Sequence, residues 1–329
     1  MATIARPALT KSKNPLAAED AIAGWVFVLP AMIIFLTFIF GPILYVFWIS
    51  LHQWSVIVPE KPFVGLDNYK TIFQGNQDFN VALRNTVWYA LGVVPAQTIL
   101  GLVLAVLANR KIRGKSFFRT AFYFPSISSS VVISIIFLVM YAQNGFINFF
   151  LRKFGLPTPR PPWLSNPRGV IEMAANGIGI DHVWAWLEGP SVALLSIMML
   201  NVWTTMGTMM VIFLAGLQDV PGDVYEAASL DGASRGRMFR DITVPLLKPV
   251  ILFVLTVGLI GTFQVFDQVW VMTSGGPAKT TTTLAYLVYL EGFQNFSMGY
   301  ASAIAVVLFF IIFAIFLIQR RLLEKPDER

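Results

Sequence analysis

The chain alternates between long apolar runs and shorter polar segments. Each apolar run has about 20 residues or more, the length that a helix needs to cross roughly 30 Å of hydrocarbon. The six runs lie at roughly 23–50, 84–108, 119–141, 191–215, 249–272 and 299–319. Several contain proline, as at Pro30, Pro42 and Pro95, which membrane helices tolerate better than soluble ones. The pattern predicts an all-α integral membrane protein with six transmembrane helices.

The composition supports this prediction. Of the 329 residues, 56% are hydrophobic and only 13% are charged, so a soluble protein of this length is excluded. The chain contains no cysteine, which rules out disulfides and thiolate metal sites. The first apolar run is too long for a signal peptide, and no compact apolar segment with a small-residue cleavage site precedes it. We therefore expect this run to remain as a membrane helix.

The basic residues are distributed unevenly along the chain. The formal net charge is +6, but most of the 24 Lys and Arg residues lie in the N-terminal tail and in segments 110–119, 235–248 and 320–329. Positively charged loops stay on the cytoplasmic side of a membrane. The distribution predicts cytoplasmic tails at 1–22 and 321–329 around a transmembrane domain at 23–320. The basic excess thus reflects topology, and no nucleic-acid partner is expected.

A polar segment at 217–248 separates the fourth and fifth apolar runs, and the predicted orientation places it in the cytoplasm. Its central part, from Val224 to Pro249, reads VYEAASLDGASRGRMFRDITVPLLKP. Gly232 can adopt the positive φ of a sharp turn, and Ser234 is a suitable helix N-cap. The pattern predicts two short helices joined at this turn. By itself, it also fits an amphipathic hairpin that lies on the membrane surface.

Several stretches together resemble a known transporter family. EAASLDGASRGRMFRDITVPLLKP is similar to the EAA loop of ABC-importer permeases. VFVLPAMIIFLTFIFGPILYVFWISL, FVGLDNYKTIF, NTVWYALGVV, RGKSFFRTAFYFP and VMTSGGPAKTTTTLAYLVYLEGF resemble the sugar-permease branch, which includes the maltose-type importers. The resemblance covers roughly residues 24–320.

The resemblance implies a role and a set of partners. In this family the EAA helices dock into a groove of a cytoplasmic ATPase, so the loop between the fourth and fifth helices is expected to be a coupling element. The implied contact residues are Glu226, Ala227, Ala228, Asp231, Gly232 and Phe239. The expected partners are a second permease subunit, two cytoplasmic ATPase subunits and an external solute-binding protein, in a prokaryotic plasma membrane. ATP and Mg²⁺ would be bound by the ATPase subunits, and this chain is expected to bind no cofactor.

No catalytic set is recognisable. NRKIRGKS, from Asn109 to Ser116, ends like a phosphate-binding loop, but that motif requires Gly in place of Asn109 and a preceding strand. A basic membrane anchor is the favoured interpretation. The two histidines, His52 and His182, lie in different loops without partners at ligand spacing. The sequence therefore predicts a transport subunit and no enzymatic activity.

A solute path without charges would be lined by hydroxyls, amides and aromatic rings. Asn201, Thr204, Thr205 and Thr208 follow one face of the fourth helix. The spacing alone fits an alternative equally well, in which these hydroxyls bond carbonyl groups of their own helix or pack helices together. The resemblance favours a role in the solute path. In the family, residues just after the VW pair of the fourth helix contact sugar, and other sugar contacts map onto Gly258 and Thr262 of the fifth helix. The candidate path residues are Thr204, Thr205, Thr208, Gly258, Thr262 and Phe266.

Three further polar features have other interpretations. Ser126, Ser130 and Ser134 form a stripe that we expect to serve helix packing. Asp267 lies near the external end of its helix, where water or a loop would meet it. The external loop 142–190 contains a second piece, 168–190, that reads as an insertion. It would cap the permease or touch the solute-binding protein, with a mere spacer as the alternative.

The cargo is defined only by class. The interiors of the six runs contain no Lys or Arg, so a neutral sugar or oligosaccharide is expected. Import of glycerol-3-phosphate or another polyol by the same family remains an alternative, since a second permease could supply a cation. An ion-coupled secondary transporter would show paired repeats, broken helices and buried ionisable residues. The sequence shows no clear repeat and almost no buried charge, and a membrane enzyme is less favoured still.

Overall fold

The computed structural model describes residues 15–110, 113–180 and 183–323. Every regular element in these ranges is helical, and the extended pairings there are two isolated bridges, between His52 and Phe63 and between Gly169 and Ser191. The helices of the first half are α1 (Pro15–Phe35), α2 (Gly41–Ser50), α3 (Asp67–Phe73), α4 (Gln77–Asn109), α5 (Lys115–Ile127), α6 (Ser130–Tyr141), α7 (Phe146–Lys153) and α8 (Val170–Gly177). The helices of the second half are α9 (Val192–Gln218), α10 (Gly222–Leu230), α11 (Arg235–Met238), α12 (Val244–Leu246), α13 (Lys248–Phe263), α14 (Asp267–Met272), α15 (Leu284–Tyr289) and α16 (Met298–Leu323).

Five helical stretches are long and apolar enough to cross a membrane, by length and composition. They are Ile22–Ser50, Gln77–Asn109, Ser130–Lys153, Val192–Gln218 and Met298–Leu322. A sixth candidate is a bent pair, Arg235–Leu246 and Lys248–Phe263, whose parts meet at 68°. The described chain is therefore an all-helical membrane protein with five spans, or six if the bent pair is counted as one.

Two predicted runs are divided in the structure. The run at 119–141 is split between α5 and α6, which part at Ser128 and Ser129, and the apolar window there is Ser130–Lys153. The run at 249–272 is split between α13 and α14 by three non-helical residues, 264–266. Each part packs on its own neighbour, α5 on α9 and α6 on α14, so tertiary contacts stabilise the breaks.

The helix bundle is centred on α4 and α9, which pack along their lengths. Small residues bring the backbones close. A Cβ added at Gly101 of α4 would lie 2.6 Å from Cβ of Met209 on α9, and one at Gly207 would lie 2.1 Å from the carbonyl oxygen of Phe122 on α5. Without a hydrophobic driving force between helices in lipid, such close contact is what holds a bundle together. Larger side chains at either glycine would separate the helices.

The first span has a different environment. None of its most apolar window, within Ile22–Ser50, is buried, whereas the corresponding windows of the other four straight spans are 22–44% buried. Its apolar surface is thus left for lipid or for another chain. The remaining core forms three clusters, around Tyr89 and Leu194, around Phe79 and Ile304, and around Met210.

Candidate functional site

The segment between α9 and α13 forms the predicted helix–turn–helix hairpin of α10 and α11. Gly232 joins the helices with φ of +76°, a left-handed conformation that glycine adopts without a steric cost. Ser234 begins α11 as its N-cap, and its Oγ accepts a hydrogen bond from the Arg237 backbone nitrogen at 3.4 Å. Both local predictions are confirmed.

The predicted coupling residues lie mainly on the open side of this hairpin. Glu226, Ala227, Asp231 and Gly232 are exposed, whereas Ala228 is half-buried. The Arg237 side chain pairs with Asp241 at 3.6 Å, but the carboxylates of Glu226 and Asp231 pair with no described residue. These two acidic groups are therefore free to meet a basic partner.

The other side of the hairpin faces the helix bundle. The Tyr225 hydroxyl lies 2.9 Å from Thr243 Oγ1, which joins α10 to the π-helical turn Phe239–Thr243. Beneath it is a cavity of about 440 Å³. The cavity is lined by Val106, Asn109, Arg110, Leu217, Tyr225, Arg235, Gly236, Met238, Phe239 and Thr243. Phe239 therefore faces the end of α4 and is only 38% exposed.

Among the candidate path residues, the structure brings Thr205 and Gly258 together through a third residue, Gln97. The Gln97 side chain on α4 is buried, with its Oε1 2.6 Å from Thr205 Oγ1 on α9. A Cβ added at Gly258 on α13 would lie 2.3 Å from Gln97 Nε2. Because Gly258 has no side chain, the Gln97 amide can occupy the space beside it. Three helices meet at one buried amide.

One polar atom at this junction lacks a hydrogen-bonding partner among the described residues. The Thr205 hydroxyl has one proton but lies near two acceptors, Gln97 Oε1 and the Asn201 carbonyl oxygen at 2.7 Å, while Gln97 Nε2 has no partner. Rotating the terminal amide of Gln97 by 180° would let Nε2 donate to the Thr205 hydroxyl, which would then donate to the Asn201 carbonyl oxygen. In both orientations the amide bridges α4 and α9, and one of its polar atoms remains beside Gly258.

The remaining candidate path residues are placed separately. The hydroxyls of Thr204 and Thr262 each donate to a carbonyl of their own helix, at Asn201 and Leu259, both at 2.9 Å. Thr208 is half-buried and makes no hydrogen bond through its hydroxyl to a described residue. Phe266 lies in the break after α13, with its ring centroid 5.0 Å from that of Tyr289. Its ring thus belongs to an aromatic cluster.

Helix packing accounts for one member of the serine stripe, and a second member bonds within its own helix. Ser126 Oγ donates to the Thr204 carbonyl oxygen at 2.6 Å, which joins α5 to α9, and Ser134 Oγ donates to the Ser130 carbonyl oxygen at 2.7 Å. The Ser130 hydroxyl is buried and has no partner among the described residues. The expectation of a packing role is confirmed for Ser126.

Sequence reasoning missed Gln97. Its signal was an amide between Pro95 and Thr98 in an otherwise apolar run, since an amide in hydrocarbon requires a hydrogen-bonding partner. The partner lies 108 positions away in the chain, at Thr205. Helical periodicity gives the face of α4 on which Gln97 lies, but the contact with α9 depends on how the two helices pack.

Several polar or amphipathic residues remain uncovered near the break after α13. Gln264 and Asp267 are exposed there, and the indole of Trp270 is partly exposed, as is that of Trp203 within α9. A carboxylate and an amide within or next to a membrane span must meet water or another protein chain. The prediction that Asp267 is accessible is consistent with this position.

Metal and nucleotide sites are not indicated in the described part of the chain. It contains no group of three or more metal-ligating side chains, and the Nδ1 atom of His52 lies 2.8 Å from the Trp48 carbonyl oxygen. His182 falls outside the described residues. The element before the NRKIRGKS segment is helix α4, and no strand precedes it, although residues 111 and 112 of that segment are outside the described ranges.

Together, the long apolar helices and the exposed polar hairpin define a multi-pass α-helical membrane protein. Residues 97–325 match the profile of the binding-protein-dependent transport system inner membrane component, and the chain belongs to this family. It is 34% identical over 314 residues to the probable ABC transporter permease protein YurN of Bacillus subtilis, covering 94% of this chain and 99% of that protein. The family resemblance stated from the sequence is thus confirmed.

Two further relatives have names that include a cargo. The trehalose/maltose transport system permease protein MalF of Thermococcus litoralis is 32% identical, with 91% of this chain and 92% of that protein covered. The arabinooligosaccharides transport system permease protein AraP of Bacillus subtilis is 30% identical, with 96% and 97% covered. A solved bacterial ABC transporter involved in the import of alginate has the same fold, with a TM-score of 0.75 at 20% identity and coverage of 95% and 99%.

Proposed function

We propose that this chain forms half of the translocation path of an ATP-driven importer for a sugar or oligosaccharide. The relatives named for trehalose/maltose and arabinooligosaccharides support this cargo class. Hydroxyl, amide and aromatic groups are also the groups that can bind a neutral polyol. The interiors of the apolar runs provide these groups and contain no Lys or Arg.

The observation that carries the proposal is the exposed α10–α11 hairpin. Its two free carboxylates, Glu226 and Asp231, and its glycine turn are exposed, while the contact between Tyr225 and Thr243 joins α10 to the turn that leads into the fifth apolar run. An element with one exposed side and one side that faces the bundle can transmit the displacement of a bound partner to the membrane helices. The hairpin is the proposed contact with an ATPase subunit, and the ATPase subunits bind ATP and Mg²⁺.

The proposed topology has six spans, with the bent pair serving as the fifth. Both termini and the hairpin then lie in the cytoplasm, as the distribution of Lys and Arg favours. The α4 and α9 helices both end beside the hairpin, so they run in the same direction across the membrane. The loops before α4 and before α9 are then external, where a solute-binding protein would deliver the cargo.

A second permease subunit completes the path. The uncovered Gln264 and Asp267 lie where lipid would be an unsuitable neighbour, and a second permease would supply water or polar contacts. The full assembly contains two permeases, two cytoplasmic ATPase subunits and an external solute-binding protein. Membrane lipid surrounds the remaining surface, and no nucleic acid takes part.

Reconstitution of the purified parts tests this function. The chain alone is expected to hydrolyse no ATP, while the complete assembly in vesicles hydrolyses ATP faster when the binding protein and a sugar are present. Radiolabelled sugar should accumulate only with ATP on the ATPase side. Turnover by the demonstrably pure single chain, or uptake driven by an ion gradient without ATP, would contradict the proposal.

A further inference from the structure

Residues 168–180 and 183–190 lie on a hairpin-like excursion from the bundle, here called the lateral hairpin. Its base is closed where the Val170 nitrogen donates to the Pro190 carbonyl oxygen and the Val192 nitrogen donates to the Arg168 carbonyl oxygen, both at 3.0 Å. The base lies at the start of α9, so the lateral hairpin is at the end of the bundle opposite α10 and α11.

The returning part of the lateral hairpin is fastened along α4. Arg84 Nη1 donates to the Ala185 carbonyl oxygen at 2.8 Å and pairs with Glu188 Oε2 at 3.2 Å. One helical turn further along α4, Trp88 Nε1 donates to the Trp186 carbonyl oxygen at 3.0 Å. These three contacts hold Ala185, Trp186 and Glu188 against α4 at the level of Arg84 and Trp88.

The face of α4 that receives these contacts is the face that lipid would cover. Arg84 and Trp88 share it with Leu91, Pro95 and Ile99, which follow at helical spacing. Leu91 and Ile99 are 61% and 62% exposed, and apolar side chains so exposed on a membrane helix contact acyl chains. The lateral hairpin therefore covers the first turns of a stripe whose remainder faces lipid.

The position along α4 gives the depth. Arg84 is the first residue of the second apolar run, and Trp88 lies about 6 Å deeper at 1.5 Å per residue. This is the depth of the membrane interface, where Trp is enriched because its ring is apolar and its N–H is polar. Glu188 pairs with the Arg84 guanidinium, which lowers the cost of a cation at the edge of the hydrocarbon.

The side chains that the lateral hairpin presents at this depth are apolar. Trp184 is 71% exposed, Leu187 is 54% exposed and Trp186 is 36% exposed. We propose that residues 184–187 insert into the lipid interface and anchor this end of α4 to the bilayer. In the topology proposed above, this is the outer leaflet. Because the patch is uncharged and continues the lipid-facing stripe of α4, lipid is a better match than a solute-binding protein.

Fluorescence quenching in the assembled transporter tests this anchor. The chain has no cysteine, so a single Ala185→Cys variant can carry one environment-sensitive dye within the patch and keep its three large apolar side chains, Trp184, Trp186 and Leu187. In vesicles, a nitroxide near the headgroup end of the lipid chain should quench this dye strongly, a nitroxide near the terminal methyl should quench it less, and aqueous iodide should have little effect. Glu60→Cys, in an exposed loop, is the control for a dye in water. Ile99→Cys, on the lipid-facing stripe, is the control for a dye that the nitroxide near the terminal methyl quenches.

The alternatives give different results. Iodide quenching at residue 185 equal to that at residue 60 would place the patch in water and overturn the proposal. Iodide quenching that disappears only when the solute-binding protein is added would assign the patch to that protein. Protection from both lipid nitroxides and iodide would assign it to a neighbouring subunit. An Arg84→Gln variant should detach the segment, with reduced nitroxide quenching and increased iodide quenching of the same dye.

Discussion

The Thr205 hydroxyl on α9 lies 2.6 Å from the Gln97 side-chain oxygen on α4, within a buried junction that Gly258 of α13 completes. Inside a bilayer, no water can replace a lost protein hydrogen bond, so this contact selects one alignment of α4 against α9. The same alignment leaves the amide of Gln97 beside the helix that continues from the hairpin. A movement of α13 would therefore displace the Gln97 amide and disturb the contact between α4 and α9.

Thr205→Val is expected to destabilise the protein, because it removes the hydroxyl that bonds the buried Gln97 amide. An unpaired buried polar group costs about 1–3 kcal/mol, and the cost in a membrane helix bundle is at the low end. Denaturation of the purified protein by a graded detergent titration measures the loss. Thr208→Val is the matched control, since its hydroxyl bonds no described residue and its variant should lie within about 0.5 kcal/mol of the unmodified protein.

Transport should respond differently at Thr208. If its half-buried hydroxyl lines the solute path, Thr208→Val should reduce sugar uptake while the solute-free ATPase rate with binding protein is kept. One lost hydrogen bond of about 0.5–1.5 kcal/mol corresponds to a decrease of roughly two- to twelvefold in apparent affinity. The two rates are compared in the same vesicles. Unchanged uptake would remove Thr208 from the path.

Gly258→Ala should crowd the Gln97 amide, because the new Cβ would lie 2.3 Å from Nε2. Overpacking of this kind costs about 1–3 kcal/mol. Adding Gln97→Ala removes the obstacle, so the double variant should be more stable than the sum of the two single changes by about 1 kcal/mol. Gly261→Ala on the same helix is the control, since nothing lies within 4 Å of its added Cβ. Strict additivity would show that Gly258 and Gln97 are not in contact.

Local chemistry explains which structural features were predictable. Gly232 and Ser234 act on their own backbone neighbours, so the turn and the cap of the hairpin follow from residue type and order. Hydropathy likewise located the long helices, because the thickness of a bilayer sets their length. These features depend on interactions between residues that are close in the chain.

Other features depend on partners distant in the chain. The division of the third apolar run at Ser128 and Ser129 reflects the packing of α5 on α9 and α6 on α14, which hydropathy does not record. Gln97 is similar, because its role comes from Thr205 and Gly258 on two other helices. The spacing of the threonines fitted two roles for their hydroxyls, hydrogen bonding within their own helix and contact with the solute. Thr204 and Thr262 do bond carbonyl groups of their own helices, so spacing alone could not distinguish between the two roles.

Glu226→Lys is expected to uncouple transport from ATP hydrolysis without affecting folding. The side chain is exposed and pairs with no described residue, so the reversed charge breaks no internal contact and acts only on a docking partner. Co-purification with the ATPase subunits and sugar uptake should both fall, while expression and thermal stability remain. Glu60→Lys applies the same change to an exposed loop at the opposite end. Normal association and uptake in the Glu226 variant would exclude this face as the coupling contact.

Gly232→Ala tests whether the shape of the hairpin turn matters, separately from its charges. Nothing lies within 4 Å of the added Cβ, so the effect is confined to the backbone, whose φ of +76° costs an L-residue about 1–2 kcal/mol. The turn should open more often, and backbone amides of α10 should exchange hydrogen roughly 5- to 30-fold faster. Gly236→Ala is a closely matched control, because its Cβ also meets nothing and its φ is negative.

Hydrogen exchange measured by mass spectrometry on the two variants gives a direct comparison. Faster exchange across Gly222–Leu230 in the Gly232 variant alone, together with weaker association with the ATPase subunits, would link turn geometry to coupling. Faster exchange with unchanged association would mean that the partner holds the hairpin in shape by itself. Equal exchange in both variants would show that the left-handed turn contributes nothing to hairpin stability, because the two substitutions differ in backbone conformation and not in side-chain contacts.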